Sequence, residues 1–331
     1  MSNFFALNSI TTGRGWSVNV TGYTNALRKL VCCLFMLFFS TAYAFSQQKL
    51  ATGEHFADVN GVKLHYYVSG KGPVCLAPSP GWGAHVDYMR SLTPFEKHFT
   101  MVYYDTRKSG LSSGPDDPTK YTDQDFMNDM DSLRTYLGLS KVWLTGHSGG
   151  GYQVLNYGSL YNDHVNGIIA LDAMARYDSL HHAEMMKVIN ETKNGPEFEK
   201  AKAAFFGKDT VKRTMDEFLE VILPLYFTNT QIIRTIPKLK VSDKAYAYTR
   251  ASNIFKSKNL LDDLHNIKVP VLVIVGDGDF ICGVESEAKR IHAHIPTSRL
   301  VIVKNAGHLP WIEQPKEFYK AFEQWAKEQH I

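Results

Sequence analysis

The sequence predicts an α/β fold, a mostly parallel central sheet flanked by helices, with a helical segment inserted between two of its later strands. Two observations carry this. Short, almost wholly apolar runs alternate with stretches of helical periodicity, and strands apolar on both faces belong to a parallel sheet covered on both sides. The alternation then breaks from Ala173 to about His265, where helical patterning continues without a strong strand. With 331 residues, 44% of them hydrophobic, the chain can bury a core of that size.

The elements follow in order. Glu54 to Val59 and Val62 to Val68 are strand candidates, and Asn60-Gly61 between them is the strongest short hairpin signal. Pro73 to Ala77 and Phe99 to Tyr104 are compact apolar runs. Thr122 opens a helix with Asp125 as its capping-box partner. Phe126, Met127, Met130, Leu133 and Leu137 form one apolar face of that helix. Val142 to Thr145 reads as a strand, Gly150 to Tyr161 as a helix and Val165 to Leu171 as a strand. Met215 to Leu225 is the clearest helical stretch of the insertion. Val269 to Val275 is the strongest strand in the chain, Leu300 to Val303 the last, and Pro315 to Glu328 a closing helix. Residues 51–172 and 266–331 therefore make the core, and 173–265 a helical cap.

The N-terminus is different. Residues 1–27 are polar and without pattern, then Arg28 and Lys29 precede an apolar run from Leu30 to Phe45 that contains Ala42-Tyr43-Ala44. A basic start, a short apolar stretch and small residues two apart make an export signal. The run is shorter than the ~20 residues of a spanning helix. Residues 1–46 are thus expected to be a signal peptide with a long N-terminal extension, cleaved after Ala44 or Ser46. The mature protein would be exported to a periplasmic or extracellular location; the alternative is an uncleaved anchor. Cys33 precedes most of the apolar run, which argues against a lipoprotein. Cleavage leaves Cys75 and Cys282, both in apolar contexts and read as buried free thiols rather than a disulfide framework. Cys/His metal spacing is absent, and no metal is expected. The net charge of +3 is spread without a basic stripe, so nucleic acid is not an expected partner, and a membrane would be met only through the signal or anchor.

Between the strand ending at Thr145 and the helix beginning near Gly150 lies Gly146-His147-Ser148-Gly149-Gly150. A serine in such a strand-to-helix turn is lifted above the sheet edge, and small neighbours let the backbones approach. Serine needs a base to take its proton and a carboxylate to orient that base. Two later strand ends offer them. Gly276-Asp277-Gly278-Asp279 follows the strongest strand, and Asn305-Ala306-Gly307-His308-Leu309-Pro310 follows the last. The candidate set is Ser148, Asp279 and His308. Asp277, in the same turn, and Asp172, after an earlier strand, are rivals for the acid.

On these motifs the chain after residue 50 resembles the α/β-hydrolase superfamily, in its serine-hydrolase branch. Gly276 to Asp279 is similar to the family's G-x-x-D, Gly307-His308 with Pro310 to its G-H motif, and Asp105 to Ser112 to its D-x-R-G-x-G-x-S loop, where Lys108 replaces the first glycine. The resemblance implies an α/β-hydrolase fold, a Ser148–His308–Asp279 triad and no cofactor. It also implies an oxyanion hole made by the Gly149 N–H and a second N–H from the loop Pro78 to Gly83. That second donor is Trp82 if Pro80-Gly81 aligns with the family's H-G, and Gly81 if the register slips by one. A serine where some relatives carry aspartate implies acyl-enzyme chemistry on an ester, thioester, lactone or amide.

The loop Ser79 to Gly83, the Asp105 loop and Leu223 to Phe227 resemble proline iminopeptidase-like and esterase members. Two departures stand against the peptidase: the H-G-G-P-G motif is missing, and Gly149 rather than tryptophan follows Ser148. In such peptidases cap carboxylates hold the substrate's amine. Glu217 and Glu220 are candidates, though a solvated helix face explains them equally. The expected substrate is a small molecule, an ester or lactone ahead of a short peptide. Tyr226 and Phe227 are candidates to face the acyl group. A cofactor-free perhydrolase or a carbon–carbon hydrolase would use the same triad, whereas a binding protein on this fold would show a broken one.

Overall fold

A computed structural model describes residues 48–236, 238–256 and 258–331, with short pieces at 11–12, 16–17 and 31. Residues 1–50 and 51–331 form two separate units. In the first, Thr11–Thr12 pairs antiparallel with Trp16–Ser17. Of residues 1–46, the proposed signal with its extension, only 11–12, 16–17 and 31 are described, and both cleavage points lie outside the described residues. No helix among the described residues is long and apolar enough to cross a membrane.

The second unit is built on one sheet of eight strands: β1 (Gly53–Val59), β2 (Val62–Gly70), β3 (Val74–Pro78), β4 (Thr100–Tyr104), β5 (Val142–His147), β6 (Val165–Leu171), β7 (Val271–Gly276) and β8 (Ser298–Val303). Their spatial order is β8-β7-β6-β5-β3-β4-β2-β1. β1 with β2 and β2 with β4 are antiparallel, and the other neighbours are parallel. The β1–β2 turn has positive φ at both Asn60 (48°) and Gly61 (75°), the geometry that matches the twist of a tight hairpin.

Around the sheet run α1 (Asp123–Tyr136), α2 (Gly149–Leu160), α7 (Lys289–His294), α8 (Pro310–Glu313) and α9 (Pro315–Glu328). The capping box at Thr122 and Asp125 is present, and the five apolar residues expected on the α1 face are buried. Every residue of β5 and of β7 is buried. Cys75, Met101, Ile169 and Leu272 point into one cluster with Phe318, Phe322 and Trp325 of α9. Their chain neighbours Leu76, Val102, Ile168 and Val273 are buried as well. Both faces of the sheet are therefore covered, which accounts for the continuous apolar runs.

Between β6 and β7 lie α3 (Ser179–Thr192), α4 (Pro196–Phe205), α5 (Met215–Ile222) and α6 (Asp243–Ala251), joined by turns. The helix expected over Met215 to Leu225 ends at Ile222. Pro224 has no N–H to continue the ladder, and the chain tightens into a 3₁₀ turn, Leu223–Tyr226. Three carboxylates tie the start of this segment to the chain beyond β7. Glu287 bonds His181 Nδ1 at 2.7 Å and accepts the N–H groups of Ala175 and Arg176. Glu184 accepts the N–H groups of Glu285 and Ser286, and Asp178 pairs with Arg290.

The loop after β4 is a second anchor. Asp105 bonds His65 Nδ1 at 2.8 Å and accepts the N–H groups of Val86 and Leu111. Lys108 has φ 59°, the left-handed backbone for which the family pattern carries glycine. Its ammonium bonds the Gly114 carbonyl and pairs with Asp116 at 2.6 Å. Arg107 makes a two-pronged pair with Asp129 of α1, which also accepts from Asn60. Arg107 and Asp129 are both buried, so removing the guanidinium strands a carboxylate away from water. Arg107→Ala is expected to cost about 3–5 kcal/mol of stability, read from urea melts.

Candidate active site

The β5-to-α2 turn sets the site. Ser148 has φ 57° and ψ −121°, a conformation side chains rarely adopt, and its N–H extends the β5–β6 ladder to the Leu171 carbonyl at 3.0 Å. The turn is tight enough that a Cβ on Gly146 would lie 2.2 Å from the Gly150 carbonyl oxygen. One on Gly149 would lie 2.5 Å from that of Pro80. The small residues are therefore demanded by backbone contact, and the stretch is no flexible loop.

Asp279 and His308 come from the ends of β7 and β8. His308 Nδ1 lies 2.7 Å from Asp279 Oδ2, and both side chains are almost fully buried. Asp279 Oδ1 accepts the N–H groups of Ile281 (2.9 Å) and Cys282 (3.1 Å). Burial alone would push this carboxyl up. His308 beside it and the two N–H donors outweigh that and hold it below its ordinary range. Asp277 is turned away, toward the Ala306 N–H and Lys304, so it is not the partner of His308. Asp172 lies fully buried beside Asp279 and does not bond the imidazole.

Ser148, Gly149 and His308 line one cavity of about 250 Å³. Its walls are mostly apolar: Trp82 and Tyr88 from the core loops, Phe218, Leu219, Ile222 and Tyr226 from the inserted segment, with Phe205, Met215 and Phe255. Asp87 is its one carboxylate, and Lys238, Lys240 and His85 are its other ionisable walls besides His147 and His308. The backbone N–H groups of Gly81, Trp82 and Gly149 have no acceptor among the described residues. Of the three, Trp82 and Gly149 line the cavity, which favours Trp82 over Gly81 as second donor.

One expectation needs correction, and one open alternative is decided for the solvated helix face. Phe227 does not face the cavity. The 3₁₀ turn at Pro224 sends Tyr226 to the cavity and Phe227 to the opposite side, where it is fully buried in the cluster with Leu309 and Trp311. The Tyr226 ring lies 5.2 Å from that of His308. Glu217 and Glu220 do not reach the cavity either. Glu217 caps its own helix through Thr214, and Glu220 pairs with Lys238.

Other groups escaped sequence reasoning. His147, the unspecified position of G-x-S-x-G, accepts from Tyr88 Oη at Nδ1 and donates from Nε2 to the His308 carbonyl, both at 2.8 Å. Burial, then neighbouring His308, hold its pKa well down, so it stays neutral. Glu313 receives Thr228, Asn229 and Gly307 N–H groups, and His308 N–H donates to the Tyr226 carbonyl, so the histidine loop is laced to the inserted segment. Nothing in one sequence marks these residues, because their partners are distant in the chain. The Cys282 thiol touches the Ser148 hydroxyl, and burial pushes its pKa well up. Asp279, Cys282 and His308 place donor atoms within 4.8 Å of one another, but two of the three are spent on the His308–Asp279 hydrogen bond and burial keeps the thiol protonated, so they are not read as metal ligands. Ligands on a tetrahedral zinc stand roughly 3.4 Å apart, so an ion held through the Nδ1–Oδ2 edge would break the His308–Asp279 bond.

Residues 79–315 match the family described as "alpha/beta hydrolase fold". A protein of Pestalotiopsis fici named proline iminopeptidase PfmaB is 27% identical over 278 residues, covering 78% of this chain and 94% of its own length. A proline iminopeptidase of Thermoplasma volcanium is 25% identical, covering 80% of this chain and 92% of its own. Among solved structures, the enol-lactonase from Burkholderia xenovorans superposes with a TM-score of 0.60 at 22% identity, covering 82% of this chain and 100% of its own.

The two aromatic residues after Pro224 give a direct check on the cavity wall. Tyr226→Ala is expected to change the relative affinity of the cavity for apolar ligands of increasing chain length, by about 1–3 kcal/mol per methylene. Phe227→Ala is expected to cost about 3–5 kcal/mol of stability and leave the ranking unchanged. Chain-length profiles and melting curves on both variants provide the measurement.

Proposed function

The chain belongs to the α/β-hydrolase family, and within it we propose a serine hydrolase that cleaves small esters or lactones with an apolar acyl part through an acyl-enzyme. Ser148 Oγ attacks the carbonyl carbon while His308 Nε2, the ring nitrogen left over by the Asp279 bond, takes the serine proton. Asp279 keeps Nδ1 protonated and stabilises the imidazolium that forms. The Trp82 and Gly149 N–H groups receive the oxyanion, each contributing about 3 kcal/mol to the transition state. His308 returns the proton to the leaving oxygen, and water then attacks the acyl-serine by the same route. The observation that carries this reading is the 2.7 Å His308–Asp279 bond at the wall of the apolar cavity that Ser148 also lines.

A second reading is an aminopeptidase that removes an N-terminal residue, favoured by the names of the two curated relatives. It needs a carboxylate for the substrate's free amine. Asp87 at the rim is the one such group lining the cavity, and it already faces Arg90 at 3.6 Å. A panel of p-nitrophenyl esters, lactones and aminoacyl-β-naphthylamides separates the two; turnover confined to the naphthylamides would replace the first reading with the second.

Ser148→Ala should lower turnover on the order of a million-fold. A fluorophosphonate should label the wild type and not the variant, and equal labelling would remove the assignment. Asp279→Asn should cost at least ~100-fold in kcat and Asp277→Asn under ~10-fold, since only the oriented acid fixes the histidine tautomer. Export after cleavage near Ala44 or Ser46 is also proposed. N-terminal sequencing of protein recovered outside the cytoplasm should then begin at Phe45 or Gln47, whereas an intact N-terminus in the membrane fraction would support an anchor.

A further inference from the structure

Asp172 is the first residue beyond β6, and its backbone takes a left-handed φ of 42°. Its N–H donates to the Ile274 carbonyl of β7 at 2.8 Å. The turn carries the carboxyl beneath the exit of β7, where Oδ1 accepts the Gly276 N–H at 3.0 Å. Gly276 in turn accepts the N–H of Asp279, so Asp172 grips the base of the turn that presents the acid. The side chain is wholly buried, and Oδ2 has no donor among the described residues. The group it meets is the Asp279 carboxyl.

Two carboxylates in contact, away from water, do not both keep their charge. The partners decide which one does. Asp279 receives the His308 Nδ1–H and the N–H groups of Ile281 and Cys282, whereas Asp172 receives the Gly276 N–H alone. Burial, then the Asp279 charge, push Asp172 well above the ordinary carboxyl range, while Asp279 is held below it. The remaining proton of the pair therefore belongs to Asp172. Oδ1 is taken by the Gly276 N–H, so the proton sits on the orphaned Oδ2 of a carboxyl that meets an anion.

We propose that Asp172 is a positioning residue: as the neutral acid it donates its Oδ2–H to Asp279, holding that carboxylate in place for His308. The inference rests on the serine-hydrolase reading. The donated bond is strongest when His308 is neutral, because the Asp279 charge is then not shared with an imidazolium. It thus favours neutral His308 and lowers the pH at which the base becomes available. The other titratable groups around the pair are His147, Lys193, Tyr226, Cys282 and Glu313.

The test is the pH profile of kcat/KM for the wild type, Asp172→Asn and Asp172→Ala, with fluorophosphonate titration of active sites. Asparagine keeps an acceptor for Gly276 and a donor for Asp279. Its acid limb should stay within about 0.3 pH units of the wild type. Alanine removes the donor, so its limb should rise by about half a unit to one unit, the part of one hydrogen bond to a carboxylate that changes with the charge of His308. A limb that falls in both variants means that Asp172 carried a charge, and a limb unmoved in alanine means a purely structural role; either overturns the proposal. Should the alanine variant fail to fold, infrared spectra of the wild type and Asp172→Asn decide: a protonated-carboxyl C=O band present in the wild type and lost in Asp172→Asn supports the proposal, and its absence from the wild type overturns it. A wild type that fluorophosphonate does not label overturns the hydrolase reading and this inference together. Normal labelling with the wrong limb overturns the role of Asp172 alone.

Discussion

The strained turn at Ser148 is the constraint around which the rest of the site is arranged. A residue held at φ 57° and ψ −121° costs on the order of 1–3 kcal/mol and persists only where its surroundings impose it. Here they do so from both sides. The Ser148 N–H continues the sheet ladder to Leu171, and the Ser148 carbonyl starts the helix by accepting from Tyr152 at 3.1 Å. The turn is thus held between two cooperative hydrogen-bonded elements, and Gly146 lets them approach within backbone contact. The helix start also leaves the Gly149 N–H without an acceptor among the described residues, beside the serine. Strain and an open donor arise from the same backbone path.

The inserted helical segment is bound to the loops that carry Asp279 and His308. Glu184, Glu287 and Asp178 fasten its beginning to the chain just beyond Asp279. Glu313, the Tyr226 carbonyl and Thr228 fasten its middle to the loop of His308. Lys193, buried, donates to the Phe227 carbonyl, and that burial lowers its pKa. Of these contacts, those of Glu287 and Lys193 are charge-assisted and buried, where such bonds are strong and directional. The segment that walls the cavity therefore also holds the loop of His308, so cavity shape and imidazole placement share one set of contacts.

The sheet, its strand order of appearance and the positions of Ser148, Asp279 and His308 were legible in the sequence. Local physics writes them there. Strands covered on both faces must be apolar throughout, the hairpin needs residues that accept positive φ, and a helix start needs its cap. The serine turn can be read because its tightness excludes larger side chains over several consecutive positions. Phe227 was misread because alternation across a 3₁₀ turn cannot be counted from helical periodicity. Glu217 and Glu220 were open because a helix has several outward directions and one sequence does not say which meets the cavity.

What only the tertiary structure decided is the pairing of charges. Asp172, Asp277 and Asp279 are equally acidic in sequence, and each follows a strand. The fold gives Asp279 the imidazole and two N–H donors, turns Asp277 toward Lys304, and buries Asp172 against Asp279 with one N–H. The opposite shifts of Asp172 and Asp279 follow from burial and donors brought together across strands far apart in the chain. A sequence fixes which groups can ionise, but the free energy of each charge depends on what the fold places within a few ångströms of it.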